Sequence, residues 1–457
     1  MRMVFRALVI MALCGPGWAW AAGAADAELQ KPITLDQALE IAFRRSPEIR
    51  TAQDEVRKAA GGVAEARANY RPKFSADLKH ISNGPDFVFG EYNAIPDEAS
   101  TASLSFFLPV DVSKGLWFVS EIARCQYELA SLNLASVSQR LIFEVKRSYL
   151  DLLRAQGQQQ VAQASVDVAT QRLKSTRDRF AAGTVADFEV TRGEVEVANL
   201  NQTLIQAKAR VVLSRAALNR VLGLDVDTPI EVVEVDIQVE ERDLDARRNI
   251  NQANTRRPEI RSAETAVLLS TGNAKLQATA DKPSFGISWL GNYNTPPYGF
   301  TTGHTTWAAL VELKVPIWDG GVTKAKVDQA EADVAKSRNG LAQAKLAVAL
   351  EVQTAVVGTQ EAAERVRTAA ANVQLAEKAL RLANDRYDSG LSILVEVADA
   401  ESALTLARFN AVQARYDYAV AVAGLERATS TQPEALKLQL LGDSAKRGGE
   451  VHLETAK

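Results

Sequence analysis

Two long stretches of the chain, Ser113 to Ala181 and Gly321 to Asp388, contain no proline and are rich in Ala, Glu, Gln, Lys, Val and Leu. These residues favour helix, so each stretch predicts one uninterrupted helix on the order of 100 Å long at about 1.5 Å per residue. The second stretch carries an apolar residue at every seventh position, as coiled-coil packing requires. These residues are Val327, Val334, Leu341 and Val348. A helix of this length cannot bury its apolar stripe against a small core and needs other helices beside it.

Each stretch ends in the same pattern of Asp-Arg-aromatic-x-x-Gly, with an acid six residues beyond the glycine. The two copies are DRFAAGTVADFE, which contains Gly183, and DRYDSGLSILVE, which contains Gly390. A glycine can adopt the left-handed conformation that closes a helix. Second helices then run back over about Asp187 to Leu222 and about Leu394 to Arg427. The sequence therefore predicts two long αα-hairpins, and helix capping alone explains the glycines but not the repeated arginine, aromatic residue and acid.

Other elements are also duplicated, in the same order. SPEIR at Ser46 to Arg50 returns as RPEIR at Arg257 to Arg261, and LPV at Leu108 to Val110 returns as VPI at Val315 to Ile317. Self-similarity of this kind predicts two similar halves related by pseudo-symmetry. The Pro-Glu pair suits the first turn of a helix, because proline needs no N–H partner there and glutamate suits the positive helix end.

Each half also contains a pair of segments in which apolar and polar residues alternate, which is typical of strands. The segments are Lys73 to Ser82, Ser100 to Val110, Ser284 to Tyr293 and Thr305 to Ile317. Their lengths suit a membrane-spanning strand, which needs about 9–11 residues. Alternation by itself fits a soluble hairpin with one buried face equally well.

The N-terminus reads as a signal peptide, with Arg2 and Arg6 before a short apolar run and the small-x-small sequence Ala19-Trp20-Ala21 as cleavage site. Cys14 offers lipidation as an alternative, although Leu13 precedes it where a small residue is usual. The sequence predicts a signal peptide over 1–21 and a first repeat over 22–223, which contains a strand pair at 73–110 and a hairpin at 113–222. A connecting segment follows over 224–256. The second repeat covers 257–428, with a strand pair at 284–317 and a hairpin at 320–427, and a polar tail covers 429–457. In the connecting segment, Ile230 to Val239 predicts a short strand and Glu240 to Asn254 a charged helix.

Composition excludes several classes of function. The formal net charge is −3, which argues against a general nucleic-acid binder. The three histidines, at 80, 304 and 452, are far apart and have no neighbouring cysteine, so we expect no metal centre. The sequence contains no Walker lysine loop, no G-x-S-x-G elbow and no H-E-x-x-H motif. We therefore expect neither catalysis nor a cofactor.

The order of these motifs resembles the TolC family of outer-membrane efflux proteins. The resemblance covers about Ile33 to Ala428 and rests on TLDQALEIAFRRSPEIRTAQDEV, YRPKFS, LPV, RFAAG, RRPEIRSAE, VPIWDGG and RYDSGLSILVEVADAES in that order. It implies a mainly α-helical homotrimer, in which the duplicated hairpins form a periplasmic α-barrel. Each protomer would add four strands to one shared twelve-stranded β-barrel in the outer membrane.

The resemblance also implies functional residues. In the family the hairpin tips meet a periplasmic membrane-fusion adaptor, which links the channel to an inner-membrane pump. The matching residues here are Arg179, Phe180 and Gly183 in the first tip and Arg386, Tyr387 and Gly390 in the second. Glu396 and Asp399 match the acids that ring the closed periplasmic aperture; a solvated helix start is the alternative for them. Their first-half equivalents, Glu189 and Arg192, are not both acids, so the ring is expected from the second half.

The resemblance implies a passive duct in the cell outer membrane, with lipid, the adaptor and the pump as partners. A periplasmic coiled-coil scaffold without a pore is the alternative, and an exported enzyme is a third possibility without motif support. Partition into the outer-membrane fraction would favour the duct. The sequence does not identify the transported substrate, because a duct accepts what its pump delivers.

Overall fold

The computed structural model describes residues 32–84, 87–90, 92–239, 244–299 and 303–431. These residues form two compact units, and each unit takes segments from both halves of the sequence. The hairpin unit, as we call it, comprises the described residues of Met1–Ser46, Leu141–Arg242 and Gly358–Ala423. The sheet unit comprises those of Pro47–Arg140, Asp243–Val357 and Gly424–Lys457. The predicted signal peptide and nearly all of the predicted tail lie outside the described residues, and the division into two repeats stays a prediction.

Most of the described residues are helical. The helices are α1 Leu35–Arg45, α2 Pro47–Ala68, α3 Gly115–Ala181, α4 Asp187–Leu222, α5 Ala246–Arg256, α6 Pro258–Gln277, α7 Val322–Asp388 and α8 Leu394–Thr429. The strands are β1 Lys73–Ser82, β2 Phe87–Phe89, β3 Tyr92–Ile95, β4 Glu98–Val110, β5 Ser284–Thr295 and β6 Thr305–Lys314. The long proline-free stretches are thus helices α3 and α7, of 67 residues each.

Side chains at the helix starts fix several of these boundaries. Thr34 and Gln37 form a capping box, in which each side chain accepts a hydrogen bond from the backbone N–H of the other. Asp319 accepts hydrogen bonds from the N–H groups of Gly321 and Thr323 before α7, at 2.9 and 2.7 Å. Such acids satisfy donors that a helix start leaves free, so they define where the chain turns from strand to helix.

The hairpin unit is held by small apolar contacts between long helices. Its core cluster joins α3 and α4 through four buried residues, Ala162, Val166, Leu204 and Ala207. Alanine at such positions lets two helix backbones approach closely. Fully buried Tyr149 places its hydroxyl 2.7 Å from the carbonyl oxygen of Val233 and 2.9 Å from that of Ile33. This tyrosine therefore connects α3 to the segments that contain Ile33 and Val233.

The sheet unit has its own core around α7. Seven buried residues form it: Ala253, Ile260, Val348, Val352, Val356, Leu425 and Ala428. Arg257, 6% exposed at its side chain, contacts Glu351 and donates to Glu259 at 3.0 Å beside this core. Burial raises the pKa of Glu351, but hydrogen bonds from Arg427 and Arg257 outweigh it and hold this pKa below its ordinary value. A buried arginine with such partners is compensated, so the cluster can lie against an apolar core.

Four strands form one antiparallel sheet in the order β1-β4-β5-β6, and β2 pairs with β3 in a separate two-stranded sheet. In the main sheet Phe106 of β4 lies between Phe74 of β1 and Trp289 of β5, and Trp289 pairs with Ala309 of β6. Cross-strand partners share a face of the sheet, so this register decides which residues face the same side. The central link, between β4 and β5, joins the first and second halves of the sequence.

The register separates an apolar face from a polar face. The apolar face, defined by Phe106 and its partners, carries Phe74, Ala76, Leu78, Ala102, Leu104, Leu108, Phe285, Ile287, Trp289, Tyr293, Trp307, Ala309, Val311 and Leu313. Its polar members lie at one end of the sheet and are His80, Ser82, Glu98, Ser100, Thr295 and Thr305. The polar face carries Lys73, Ser75, Asp77, Lys79, Thr101, Ser103, Ser105, Ser288, Asn292, Asn294, Thr306, Glu312 and Lys314, with Ile81, Phe107, Leu290 and Leu310 as its large apolar members. Leu78 and Trp307 are 88% and 71% exposed, so no described residue covers these large apolar side chains on the two edge strands.

Two expectations from sequence were wrong. Ile230 to Val239 is not a strand, because its only pairing in the described residues is an isolated parallel bridge between Val232 and Ile33. Alternation alone does not make a strand without a partner that accepts its hydrogen bonds. The helix that follows begins at Ala246, where Asp245 caps it, and not at Glu240, which lies outside the described residues. The strands β2 and β3 lie in the connection between β1 and β4.

Candidate functional site

The first hairpin tip is a tight helix closure between α3 and α4. Gly183 has a φ angle of +75°, which is the left-handed region. The Thr184 N–H donates to the carbonyl of Arg179 at 3.0 Å, and the Gly183 N–H donates to that of Phe180 at 2.8 Å. This double hydrogen bond satisfies carbonyls that the helix end would otherwise leave free.

The second tip, between α7 and α8, repeats the same closure. Gly390 has a φ angle of +72°, and its N–H donates to the carbonyl of Tyr387 at 2.9 Å. The Leu391 N–H donates to the carbonyl of Arg386 at 2.8 Å. A methyl group added at Gly183 or Gly390 would meet no atom within 4 Å. Both glycines are therefore required by backbone conformation and not by crowding.

One contact joins the two tips within the hairpin unit. Arg179 donates from Nη1 to the hydroxyl of Tyr387 at 3.1 Å, and its guanidinium carbon lies 5.5 Å from the centre of the Tyr387 ring. A guanidinium over an aromatic face is attracted by the ring quadrupole. The repeated arginine of one tip and the repeated aromatic residue of the other are thus brought together across 208 positions of sequence.

The remaining tip residues point outward. Phe180 is 44% exposed, and the exposed guanidinium of Arg386 makes no hydrogen bond or ion pair with the residues that the structure describes. Leu391 and Ile393 beside the second tip are 72% and 63% exposed. The tips therefore present apolar and cationic groups to their surroundings.

The two predicted aperture acids lie in the first turns of α8 and both are exposed. Ser392 donates to the carboxylate of Glu396 at 2.6 Å, so this serine holds the glutamate at the helix start. The Asp399 carboxylate makes no hydrogen bond or ion pair within the described part of the chain. No arginine or lysine among the described residues pairs with either acid, so their charge is uncompensated in the single chain.

A partly buried ion-pair cluster near the tips was not predicted. Arg172 of α3 donates to Glu196 of α4 at 2.5 Å and also contacts Glu401 of α8. Burial raises the pKa of Glu401, attraction to Arg172 lowers it, and repulsion by Glu196 raises it, with a net upward shift. One guanidinium thus links three helices. The partners are far apart in sequence, so no local pattern could have revealed the cluster.

The same cluster borders a small cleft that contains the first-half equivalents of the aperture acids. Glu189 and Arg192 line it together with Arg172, Glu196 and Leu394. The Oε2 atom of Glu189 is buried and has no hydrogen-bond partner among the described residues. Glu189 is therefore partly enclosed, whereas Glu396 of the second half is exposed.

The described residues give little support for a metal site or a membrane-spanning helix. In the described residues no group of three or more His, Cys, Asp or Glu side chains is placed to hold a metal ion. One helix, Val322–Tyr387 within α7, contains an 18-residue window with a mean hydropathy of 1.2, of which 17% is buried. Length and composition alone make one such window weak evidence for a membrane-spanning helix.

Comparisons with known proteins agree with this architecture. Residues 38–224 and 249–431 match the family model described as "Outer membrane efflux protein". Nodulation protein T of Rhizobium leguminosarum bv. trifolii is 25% identical over 391 residues, which cover 84% of this chain and 83% of that protein. The outer membrane protein TolC of Vibrio cholerae is 24% identical over 367 residues, covering 79% and 84%. Among solved structures, the outer membrane protein VceC from Vibrio cholerae shares the fold with a TM-score of 0.75 at 19% identity, covering 86% of this chain and 95% of that one.

Proposed function

Because this chain belongs to the outer membrane efflux protein family, we propose that it forms the passive outer duct of a tripartite efflux pump or a type I secretion system. It is a channel protein of the cell outer membrane with a large periplasmic extension. The duct performs no chemistry, and the energy for transport comes from an inner-membrane partner. The finer parts of the proposal are the trimer, the adaptor contact and the aperture.

The separation of the sheet into two faces carries the proposal of a duct. An apolar face that includes Phe74, Leu78 and Trp307 suits lipid, and a face of hydroxyl, amide and charged groups suits a water-filled interior. Four strands alone leave β1 and β6 with unpaired edges, which lipid does not tolerate. Three copies of this sheet close a twelve-stranded barrel without edges.

The duct is tested on the full-length protein. We expect it in the outer-membrane fraction, as a trimer that survives detergent and dissociates on heating, with discrete conductance steps when it is added to a planar lipid bilayer. A stable monomer in detergent that forms no pore would contradict the duct. Recovery in the soluble periplasmic fraction would favour the scaffold alternative instead.

The hairpin tips are the proposed docking surface for the periplasmic adaptor. Arg386, Phe180 and Leu391 are exposed and supply cationic and apolar contacts, while Gly183 and Gly390 fix the turns that present them. The Arg179–Tyr387 contact holds the two tips in one arrangement, so that a partner meets both at once.

Site-specific crosslinking from the tip to the adaptor expressed in the same cells tests this surface. We expect Arg386→Ala to lower the crosslinked fraction at unchanged trimer level, and Gly390→Val to lower it further by distorting the turn. Arg338→Ala, another exposed arginine of α7, serves as the matched control. Normal crosslinking in both tip variants would count against the tips as the docking surface.

Glu396 and Asp399 are the proposed aperture acids. Three protomers would bring six carboxylates around one axis, and a ring of uncompensated acids attracts cations. We expect the Glu396→Gln, Asp399→Asn double variant to lose most of its cation preference in single-channel recordings. Glu55→Gln, an exposed acid on α2, removes one charge per protomer elsewhere and should leave selectivity intact. Unchanged cation preference in the double variant would remove this role from both acids.

A further inference from the structure

The charged residues on the polar face of the sheet are confined to its two edge strands. Strand β1 carries Lys73, Asp77 and Lys79 there, and β6 carries Glu312 and Lys314. On the same face the inner strands β4 and β5 carry no charged residue among those described. Charge of both signs is therefore available at each edge, and only there.

These edge charges have no ion-pair partner among the residues that the structure describes. Asp77 and Lys79 lie opposite Ser103 and Thr101, and Glu312 and Lys314 lie opposite Gly286 and Ser284. The side chains of Asp77, Lys79, Glu312 and Lys314 are exposed and make no hydrogen bond or ion pair with the described residues, whereas the Lys73 ammonium donates to the Asn69 side chain at 3.3 Å. Each edge thus offers two free charges of opposite sign.

The strand directions decide how the edges of two copies would meet. Neighbouring strands in the order β1-β4-β5-β6 are antiparallel, so β6 runs opposite to β1. The β6 strand of one copy therefore pairs antiparallel with β1 of the next. Side chains alternate between the two faces of a strand, so the polar face continues from one copy to the next only in every second register. The allowed registers therefore differ from one another by multiples of two residues.

One of these registers matches the charges on both strands. It places Asp77 opposite Lys314 and Lys79 opposite Glu312 of the next copy, since both pairs of residue numbers have the same sum. A shift of two residues in one direction puts Asp77 opposite Glu312, although each acid then keeps a lysine as its diagonal neighbour. The same shift in the other direction puts Lys79 opposite Lys314. A shift of four puts Lys73 opposite Lys314. Like charges directly opposite each other are destabilising, so these shifts are disfavoured.

The apolar face independently fits the same register. It places Leu78 opposite Leu313 and Phe74 opposite Ile317, which continues the chain beyond β6. These side chains are 88%, 61%, 71% and 97% exposed in the single chain, in that order. Large apolar groups that are bare in one copy would thus cover each other at the seam, which apolar burial favours.

We propose that copies of this chain are joined along a β6–β1 seam in which Lys79 pairs with Glu312 and Asp77 with Lys314 of the neighbouring copy. The inference rests on the proposed closure of three sheets into one barrel. The pairs lie on the polar face, next to the water-filled interior, and they fix the register with which three identical edges close. Charged edges also keep the free chain from pairing with unrelated strands before assembly.

Charge reversal tests the seam. Lys79→Glu and Glu312→Lys each place like charges together at all three seams, and at a few tenths of a kcal/mol per seam we expect about a tenfold shift toward monomer in the heat-induced dissociation of the trimer. The double variant Lys79→Glu, Glu312→Lys restores opposite charges and should return dissociation close to that of the unaltered protein. Lys58→Glu, an exposed lysine on α2, controls for the change in net charge.

Covalent linkage provides a second measurement that does not depend on stability. In a Cys125→Ser background, Lys79→Cys with Glu312→Cys should give linked dimers and trimers after mild oxidation or with a short thiol crosslinker. Lys73→Cys with Glu312→Cys should not, because Lys73 lies six residues further along the strand. Crosslinking of the Lys73→Cys, Glu312→Cys pair would overturn the seam, and so would dissociation of the charge-reversal double variant that equals the sum of the two single effects. If the trimer still forms and conducts in that case, the proposed duct is not contradicted. A monomeric unaltered protein would instead refute the duct itself.

Discussion

The second hairpin tip depends on one backbone conformation, and replacing Gly390 by alanine isolates it. The φ angle at Gly390 is +72°, and an added methyl group meets no atom within 4 Å, so no steric clash enters. An L-residue in the left-handed region costs about 1–2 kcal/mol. Alanine also restricts the unfolded chain, which offsets about 0.4–1 kcal/mol of that cost. We therefore expect local destabilisation of about 1 kcal/mol, or about fivefold in the opening equilibrium of the turn.

Native-state hydrogen exchange on the detergent-solubilised protein measures this opening directly. The Leu391 N–H donates to the carbonyl of Arg386 at 2.8 Å across the turn, so its protection reports the closure. We expect that protection to fall about fivefold in Gly390→Ala. The control is Gly340→Ala, which adds the same methyl group in open space inside helix α7, where alanine is better than glycine by about 1 kcal/mol.

The two variants should thus differ in sign. Protection near residue 340 should rise in the control, while protection at Leu391 stays unchanged there. If Gly390→Ala leaves the Leu391 amide as protected as before, the left-handed closure is not what requires glycine. Equal loss of protection in both variants would show a general effect of the methyl group instead.

Two further predictions concern a strained turn and a buried acid. Lys114 has a φ angle of +61°, at the position where the second half has Gly321 at +88°. Lys114→Gly should therefore raise stability by about 0.5–1 kcal/mol in thermal unfolding, whereas Lys336→Gly inside α7 should lower it. A lower melting temperature for Lys114→Gly would contradict backbone strain at this residue. Burial raises the pKa of Glu401, so the folded state favours the protonated form of this residue. The contribution of Glu401 to stability is therefore greatest below the ordinary pKa of a glutamate and is lost as pH rises through the raised pKa. Hydrogen exchange of α8 near Glu401, corrected for intrinsic rates, should lose this pH dependence in Glu401→Gln over the pH range above the ordinary pKa of a glutamate, and an identical pH profile in both proteins would refute it.

Local features were readable from the sequence because they depend on neighbours in the chain. The second helix of the first hairpin, Asp187–Leu222, has the predicted bounds, since a left-handed glycine at Gly183 ends the preceding helix and Gly223, at a φ of +70°, ends this one. The four strand segments of the main sheet were also found, with ends within a few residues of the predicted ones. The wrong strand at Ile230 to Val239 shows the limit of this reasoning, because a strand needs a partner that its own sequence does not specify.

The amino-acid sequence alone determined the two long hairpins and four strands. It did so through its duplication, its helix-rich composition and its glycine turns. Only the tertiary structure brought Arg179 onto Tyr387 and placed Arg172 between Glu196 and Glu401, since these partners come from helices far apart in the chain. It also decided that β4 pairs with β5, which leaves β1 and β6 as the edges with their unmatched charges. The physical reason is that a turn or a cap is fixed by contacts within a few residues, whereas strand order and buried ion pairs depend on which distant segments fold against each other.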